Sequence, residues 1–277
     1  MSAPGALYLV ATPIGNLGDI TARAERTLRD ADFIAAEDTR VTRKLLEHLK
    51  IKKPLVSYYE HNRRESGEKI LDRILSGENC ALVTDAGTPG ISDPGEELVR
   101  LCAQAGIVMY AIPGPCAAVA ALALSGIGTG RFTFEGFLST ARKSRFEHLD
   151  ELKTEKRTMV FYEAPHKLMR TLRDMLTAFG DRRITISREL TKIYEETLRF
   201  TLSEAIAHFE DRQPKGEFVL IVEGLRDSPT REIGPGEAIA AALGYIESGM
   251  TVKDAVKKAS EETGVPKNAL YNAVVKG

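Results

Sequence analysis

Cysteine is scarce in this chain of 277 residues, occurring only at Cys80, Cys102 and Cys116. An odd count without a C-x-x-C pair excludes a disulfide framework and fits a reducing compartment. The five histidines (His48, His61, His148, His166 and His208) are scattered without zinc-ligand spacing, so no metal site is expected. Long apolar runs are missing too. The longest uncharged one, Ala117–Leu124, is far shorter than a membrane span. The opening MSAPGALYLVATP lacks the basic region and apolar core of a secretory leader. These absences lead us to expect a soluble cytoplasmic protein. Excess charge of either sign is also lacking: the net charge of −1 excludes an overall basic coat, so a polyanionic partner would have to meet a local patch. G-x-G-x-x-G, the P-loop and the G-x-S-x-G elbow are all absent.

Hydrophobic residues make up 43% of the chain, enough for two packed domains and a small third. In the first half, apolar runs at 7–11, 33–36, 55–57, 81–84 and 108–112 alternate with helical spacing at 21–30, 40–49, 64–75, 95–105 and 116–124. That alternation predicts βαβ units and a largely parallel sheet. The pattern changes near 113–130. Beyond it, strands are expected at 132–135, 158–162, 184–187, 196–201 and 218–222, with helices at 142–154, 166–178 and 203–210. Some of these strands follow one another directly, which predicts a mixed sheet. Residues 225–236 read as a linker, followed by helices at 237–248, 251–263 and 266–275. The last two, joined through Glu262-Thr263-Gly264-Val265, fit either a helix-turn-helix or a small packing bundle. The resulting division is 1–115, 116–226 and 235–277.

Chemistry gathers where strands are expected to end. The stretch ALVTDAGTPGISDPG passes from an apolar run into eleven residues holding three glycines and two prolines, which can continue neither strand nor helix. In open α/β sheets such carboxyl-end loops border the ligand site, although a tight connection alone would have the same composition. Pro13, Gly15, Asn16 and Gly18 form a second loop, before a helix that Asp19 could cap. A third strand end carries Glu37, Asp38 and Arg40, fitting either a site that orients a polar substrate or a helix start capped by Asp38 or Thr39. A fourth ends in Ser57-Tyr58-Tyr59-Glu60-His61-Asn62. Between Arg40 and Arg64 eight basic residues face two acids, a local +6 suited to phosphate backbones. Pro113-Gly114-Pro115 opens an alanine-rich helix at Cys116 and Ala117, where free amides attract a carboxylate. Gly126-Ile127-Gly128-Thr129-Gly130 follows a helix rather than a strand and reads as a helix stop and linker.

Taken in order and spacing, LVATPIGNLGDIT, AAEDTR, YYEHN, VTDAGTPGISDPG, IPGPCA, FYEAPHK, REL-TK-YEE and KGEFVLIVEG resemble the tetrapyrrole-methylase-like class of S-adenosylmethionine-dependent methyltransferases. Within that class they are similar to the ribosomal RNA small-subunit methyltransferase I family, over residues 7–224, and the tail GVPKNALYNAVVK resembles that family's helical C-terminal module. The resemblance implies two α/β domains with S-adenosyl-L-methionine in the cleft between them, plus a small helical module. It also implies a homodimer that methylates the 2′-hydroxyl of a decoding-centre cytidine in 16S rRNA of the small ribosomal subunit. Cofactor contacts then fall on Pro13, Asp85, Gly87, Cys116, Ala117, Tyr162, Glu163 and Glu189. Because a ribose hydroxyl is a poor nucleophile, a positioned base is expected, with Glu37, Asp38 and His61 as candidates. Arg40, Arg43, Lys44, Asn62 and Arg63 are expected to hold ribose or phosphate. Two other readings compete: a tetrapyrrole or corrinoid C-methyltransferase of the same fold, and a non-enzymatic metabolite sensor joined to a nucleic-acid reader.

Overall fold

The computed structural model describes residues 3–226, 235–263 and 265–276. The chain divides into two units, Met1–Gly224 and Leu225–Gly277.

The first sheet contains β1 (Ala6–Val10), β2 (Phe33–Ala36), β3 (Leu55–Ser57), β4 (Cys80–Val83) and β5 (Val108–Ile112), in the order β3-β2-β4-β1-β5 with every pairing parallel. The helices α1 (Ala22–Asp30), α2 (Thr39–His48), α3 (Arg63–Leu75), α4 (Glu96–Gln104) and α5 (Ala117–Leu124) alternate with the strands. The central strands FIAA and CALV are buried along their whole length, because helices cover both sides of a parallel sheet. Leu7, Phe33 and Leu82 pack on one face, and Val10, Ile34 and Val83 on the other. Parallel pairing places every carboxyl end, and therefore every loop singled out above, on one edge.

One expectation is corrected here. Asp19 caps nothing: it ends a short 3₁₀ turn, Leu17–Asp19, in which the Asn16 side chain accepts from the Gly18 amide. The α1 cap is Thr21, whose hydroxyl accepts from the Ala24 amide. Thr21 has the required extended backbone and stands directly before the helical periodicity.

The second sheet is mixed, in the order β6-β7-β10-β8-β9. It comprises β6 (Phe132–Phe137), β7 (Thr158–Glu163), β8 (Arg183–Arg188), β9 (Glu196–Thr201) and β10 (Phe218–Val222). Only β6 and β7 run parallel. All five residues of β10 are buried, and alternation splits them: Phe218, Leu220 and Val222 meet α6 (Arg142–Glu151), α7 (Leu168–Phe179) and α8 (Leu202–Glu210), while Val219 and Ile221 meet α5. Strand β6 continues past 135 through a bulge between Phe134 and Gly136, where Gly136 takes a φ of 61°. A capping box joins Thr201 and Glu204 at the start of α8.

The second unit holds α9 (Pro235–Glu247), α10 (Val252–Thr263) and α11 (Lys267–Lys276) around Ala238, Ala242, Val256, Ala259 and Leu270. The expected linker lies mostly outside the described residues, as does Gly264 of the expected helix–helix turn.

Candidate active site

Three loops at the carboxyl edge of the first sheet are tied together by hydrogen bonds. The Thr12 amide donates to the Gly87 carbonyl at 2.9 Å, and the Gly87 amide returns a bond to Thr12 at 3.0 Å. The Thr88 hydroxyl donates to the carbonyl of Pro115, just before α5. Gly87 sits at a φ of 85°, a left-handed conformation that disfavours a side chain.

These loops form one wall of a cleft of about 460 Å³, and the second sheet forms the other. Ile14, Gly87, Asp93, Cys116 and Ala117 line it from the first side; Phe137, Tyr162, Glu163, Glu189, Leu190 and Lys192 from the second. The Tyr162 hydroxyl accepts from the Ala118 amide at 3.2 Å, fastening β7 to the first turn of α5. Cys116 supplies no side-chain cap to that helix. Burial pushes the Tyr162 hydroxyl up to about 12, so it remains a neutral hydrogen-bonding group. Glu163 is engaged within the wall, accepting from the Ala164 amide at 2.7 Å and from the Thr171 hydroxyl. Lys192 donates to Glu189 and Glu217, 3.0 Å from each, and closes the far side.

Beside the cleft stands an acidic rim. Burial raises the Glu37 carboxyl above its ordinary value, with neighbouring Asp85 and Asp38 adding to the effect. Partial burial raises Asp85 in the same way. Asp38 goes the opposite way, to about 2, because the Arg40 guanidinium grips it, with Nη2 2.6 Å from Oδ2. Asp38 also caps α2 by accepting from the Arg40 amide at 2.8 Å.

The family described as Tetrapyrrole (Corrin/Porphyrin) Methylases matches residues 6–206, and that described as RsmI C-terminal HTH domain matches 234–276. The chain is 50% identical over 271 residues to the ribosomal RNA small subunit methyltransferase I of Halalkalibacterium halodurans, covering 97% of this chain and 94% of that protein. It is 48% identical over 268 residues to the protein of that name from Synechocystis sp., covering 96% of each. The chain belongs to the ribosomal RNA small subunit methyltransferase I family. Among solved structures, diphthine synthase shares the fold with a TM-score of 0.61 at 14% identity, over 79% of this chain and 90% of that one. Cobalt precorrin-4 methyltransferase does so with a TM-score of 0.56 at 21% identity, over 79% and 94%.

With the chain placed in the methyltransferase I family, the positions singled out from sequence can be located. Gly87, Cys116, Ala117, Tyr162, Glu163 and Glu189 line the cleft; Pro13 adjoins its lining through Ile14, and Asp85 lies on the rim. Glu37, Asp38 and Asp85 come together directly. His61 does not join them: it is exposed, edge-on to Tyr59, and outside the cleft lining. The Asn62 amide is taken up by its own turn, accepting from the Tyr59 amide and donating to the Ser57 carbonyl. Arg63 pairs with Glu60 at 3.0 Å, whereas Arg43 and Lys44 stand exposed on α2. Sequence reasoning missed Phe137, and it gave no role to Asp93 or Lys192, although both lie in segments it singled out. Asp93 lies inside the glycine-rich stretch, but only the opposite wall distinguishes it from the other polar residues of that loop.

Proposed function

We propose that the protein is an S-adenosylmethionine-dependent 2′-O-methyltransferase acting on a cytidine of the decoding centre in 16S rRNA, as a cytoplasmic homodimer with 1–115 and 116–226 as its two α/β domains. The observation that carries this reading is the junction at Asp38. Its amide binds Asp85 at the cleft rim, and its carboxylate starts the basic helix α2. A cleft for a small donor and a face for a phosphate backbone are therefore joined through one residue.

The donor set suits such a cofactor. The volume lies within the range of enclosed cofactor sites, about 300–1,000 Å³. The first turn of α5 offers amides to a carboxylate, the carboxylates suit a cationic sulfonium and ammonium, and Tyr162, Phe137, Ile14 and Leu190 supply apolar walls for a flat base. When bound, the cofactor supplies an electrophilic methyl carbon. The protein then has three tasks: to hold the acceptor hydroxyl in line, to exclude water and to receive a proton. Arg43 and Lys44 on α2 are suited to hold the RNA backbone. Among the three candidate bases Glu37 is best placed, since Asp38 is neutralised by Arg40 and His61 lies apart.

Incubating the protein with radiolabelled S-adenosylmethionine and small subunits from a strain lacking the enzyme is the test. Digestion and mass spectrometry should find one 2′-O-methylcytidine. Label on a base, or only on a corrinoid precursor supplied in parallel, would refute the reading.

A further inference from the structure

The connection between β8 and β9 breaks the usual rules for a turn. Residues 189–195 fold as two successive turns: the Lys192 amide donates to the Glu189 carbonyl at 3.0 Å, and the Glu195 amide donates to the Lys192 carbonyl at 3.1 Å. Ile193 and Tyr194 therefore occupy the central positions of the second turn, where small or polar residues and proline are the rule. Neither side chain is covered by the protein. Ile193 is 94% exposed and Tyr194 76%, while no other large apolar side chain among the described residues exceeds 58%. Two large apolar groups left in water against local preference, with no packing gain within the chain, mark a place built for something outside it.

Their backbone is held rigidly beside the cleft. Glu189 and Thr191 sit at φ values of 51° and 66°, a left-handed region that costs energy, most of all for a β-branched residue such as Thr191. The Thr191 amide donates to Glu195 Oε2 at 2.7 Å, and the Glu189 amide to the Glu217 carbonyl at 3.1 Å. Lys192, which lines the cleft, is pinned through its ammonium by Glu189 and Glu217. Its stem lies so close to the Pro13 loop of the first sheet that a Cβ at Gly15 would come within 2.4 Å of Lys192 Cγ. Tyr194 follows two residues later, within about 7 Å of that wall along the chain.

The charges decide what this turn can hold. Lys192 is matched by two carboxylates and Arg188 by Glu196 at 2.6 Å, so among the described residues of the turn none offers a free cation to a phosphate. Glu195, exposed beside Tyr194, adds a negative charge. An unpaired nucleobase is neutral and flat, and stacks on an aromatic ring without needing a cation. Two side chains also cover far less than the roughly 800 Å² that each partner buries in a stable protein interface.

Resting on the methyl-transfer reading above, we propose that Tyr194 is a substrate-stacking residue whose ring takes an unpaired RNA base next to the target nucleotide, with Ile193 wedged beside it. The ring replaces the stacking partner that this base loses when the target nucleotide leaves the RNA stack, and the target ribose is thereby held at the cleft.

The experiment measures methyl transfer to small subunits from a strain lacking the enzyme by wild type, Tyr194→Ala, Tyr194→Leu and Tyr194→Phe. Subunit binding is titrated at several salt concentrations, and cofactor binding is measured by calorimetry. Tyr194→Ala and Tyr194→Leu should lower kcat/KM by about fivefold to about 100-fold, chiefly through KM, and weaken subunit binding without changing its salt slope. Tyr194→Phe, which keeps the ring, should stay within about twofold of wild type. Cofactor affinity and melting temperature should not move, because the side chain is exposed and outside the cleft lining. An alanine variant within about twofold of wild type overturns the proposal, as does a leucine variant that restores activity or a phenylalanine variant as impaired as alanine. A reduced salt slope overturns it by making the contact one with phosphate. Sedimentation of Tyr194→Ala as a smaller species than wild type overturns it in favour of a contact between copies of this chain, and a loss of cofactor affinity or of thermal stability overturns it in favour of a structural role. A wild-type chain that methylates no RNA refutes the broader reading instead.

Discussion

Asp38 and Asp85 interlock the ends of two adjacent parallel strands: the Asp38 amide donates to Asp85 Oδ1 at 3.0 Å, and the Asp85 amide donates to Glu37 Oε2 at 3.3 Å. The clasp holds two like charges side by side at the mouth of the cleft, each fixed by a neighbour's backbone. Asp85→Ala removes the acceptor for the Asp38 amide and frees the start of α2. Methyl transfer should fall by about tenfold or more while the melting temperature moves only a few degrees, because the rim is partly solvated. Kinetics and thermal unfolding of the same preparation check this.

Gly87→Ala places a Cβ on a residue with a φ of 85° in the cleft wall. The left-handed backbone costs an alanine about 1–2 kcal/mol, and any relaxation pulls on the paired Thr12. Cofactor affinity measured by calorimetry should weaken by about tenfold.

The pH dependence of stability has a definite sign at Asp93. The folded carboxyl is raised to about 7 from an ordinary 3.8, so the native state holds a proton that the unfolded chain releases. Its contribution falls as pH climbs from about 4 through about 7 and stays low above that. Asp93→Asn removes this loss. By scanning calorimetry the variant should gain stability relative to wild type between about pH 5 and about pH 8, and an advantage that shrinks over that range would contradict it.

Arg43 and Lys44 extend from α2 into solvent. Replacing both by Glu should weaken binding to small subunits and lower the salt dependence by about one unit of slope for each phosphate no longer neutralised. Cofactor affinity should not change. Titrations at several salt concentrations, with and without RNA, separate the two effects.

Thr201→Ala breaks the capping box at α8, at a residue outside the cleft lining. A loss of about 1 kcal/mol in denaturant unfolding with an unchanged transfer rate is expected.

Much of the architecture was legible along the chain. Periodicity alone located β2, β3, β5, β9 and β10 to the residue, since short apolar runs bounded by turn residues fit few alternatives. Asp19 failed as a cap because capping depends on backbone geometry, and the chain inserts a 3₁₀ turn before α1 begins. The continuation of β6 through its bulge also escaped notice, since a glycine after Glu135 reads equally well as a strand end.

By itself the sequence determined the alternation of strands and helices, the loops at one sheet edge, the basic stretch from Arg40 to Arg64 and the family. Those depend on local composition and on residue order. Only the tertiary structure decided which polar groups remain available for chemistry. Arg40 neutralises Asp38, Thr171 occupies Glu163, and Asn62 satisfies its own turn. Asp93, which accepts no hydrogen bond among the described residues, faces a wall that begins more than forty residues further along the chain. Whether a carboxylate is spent or free depends on neighbours brought together by folding, and no local pattern encodes that.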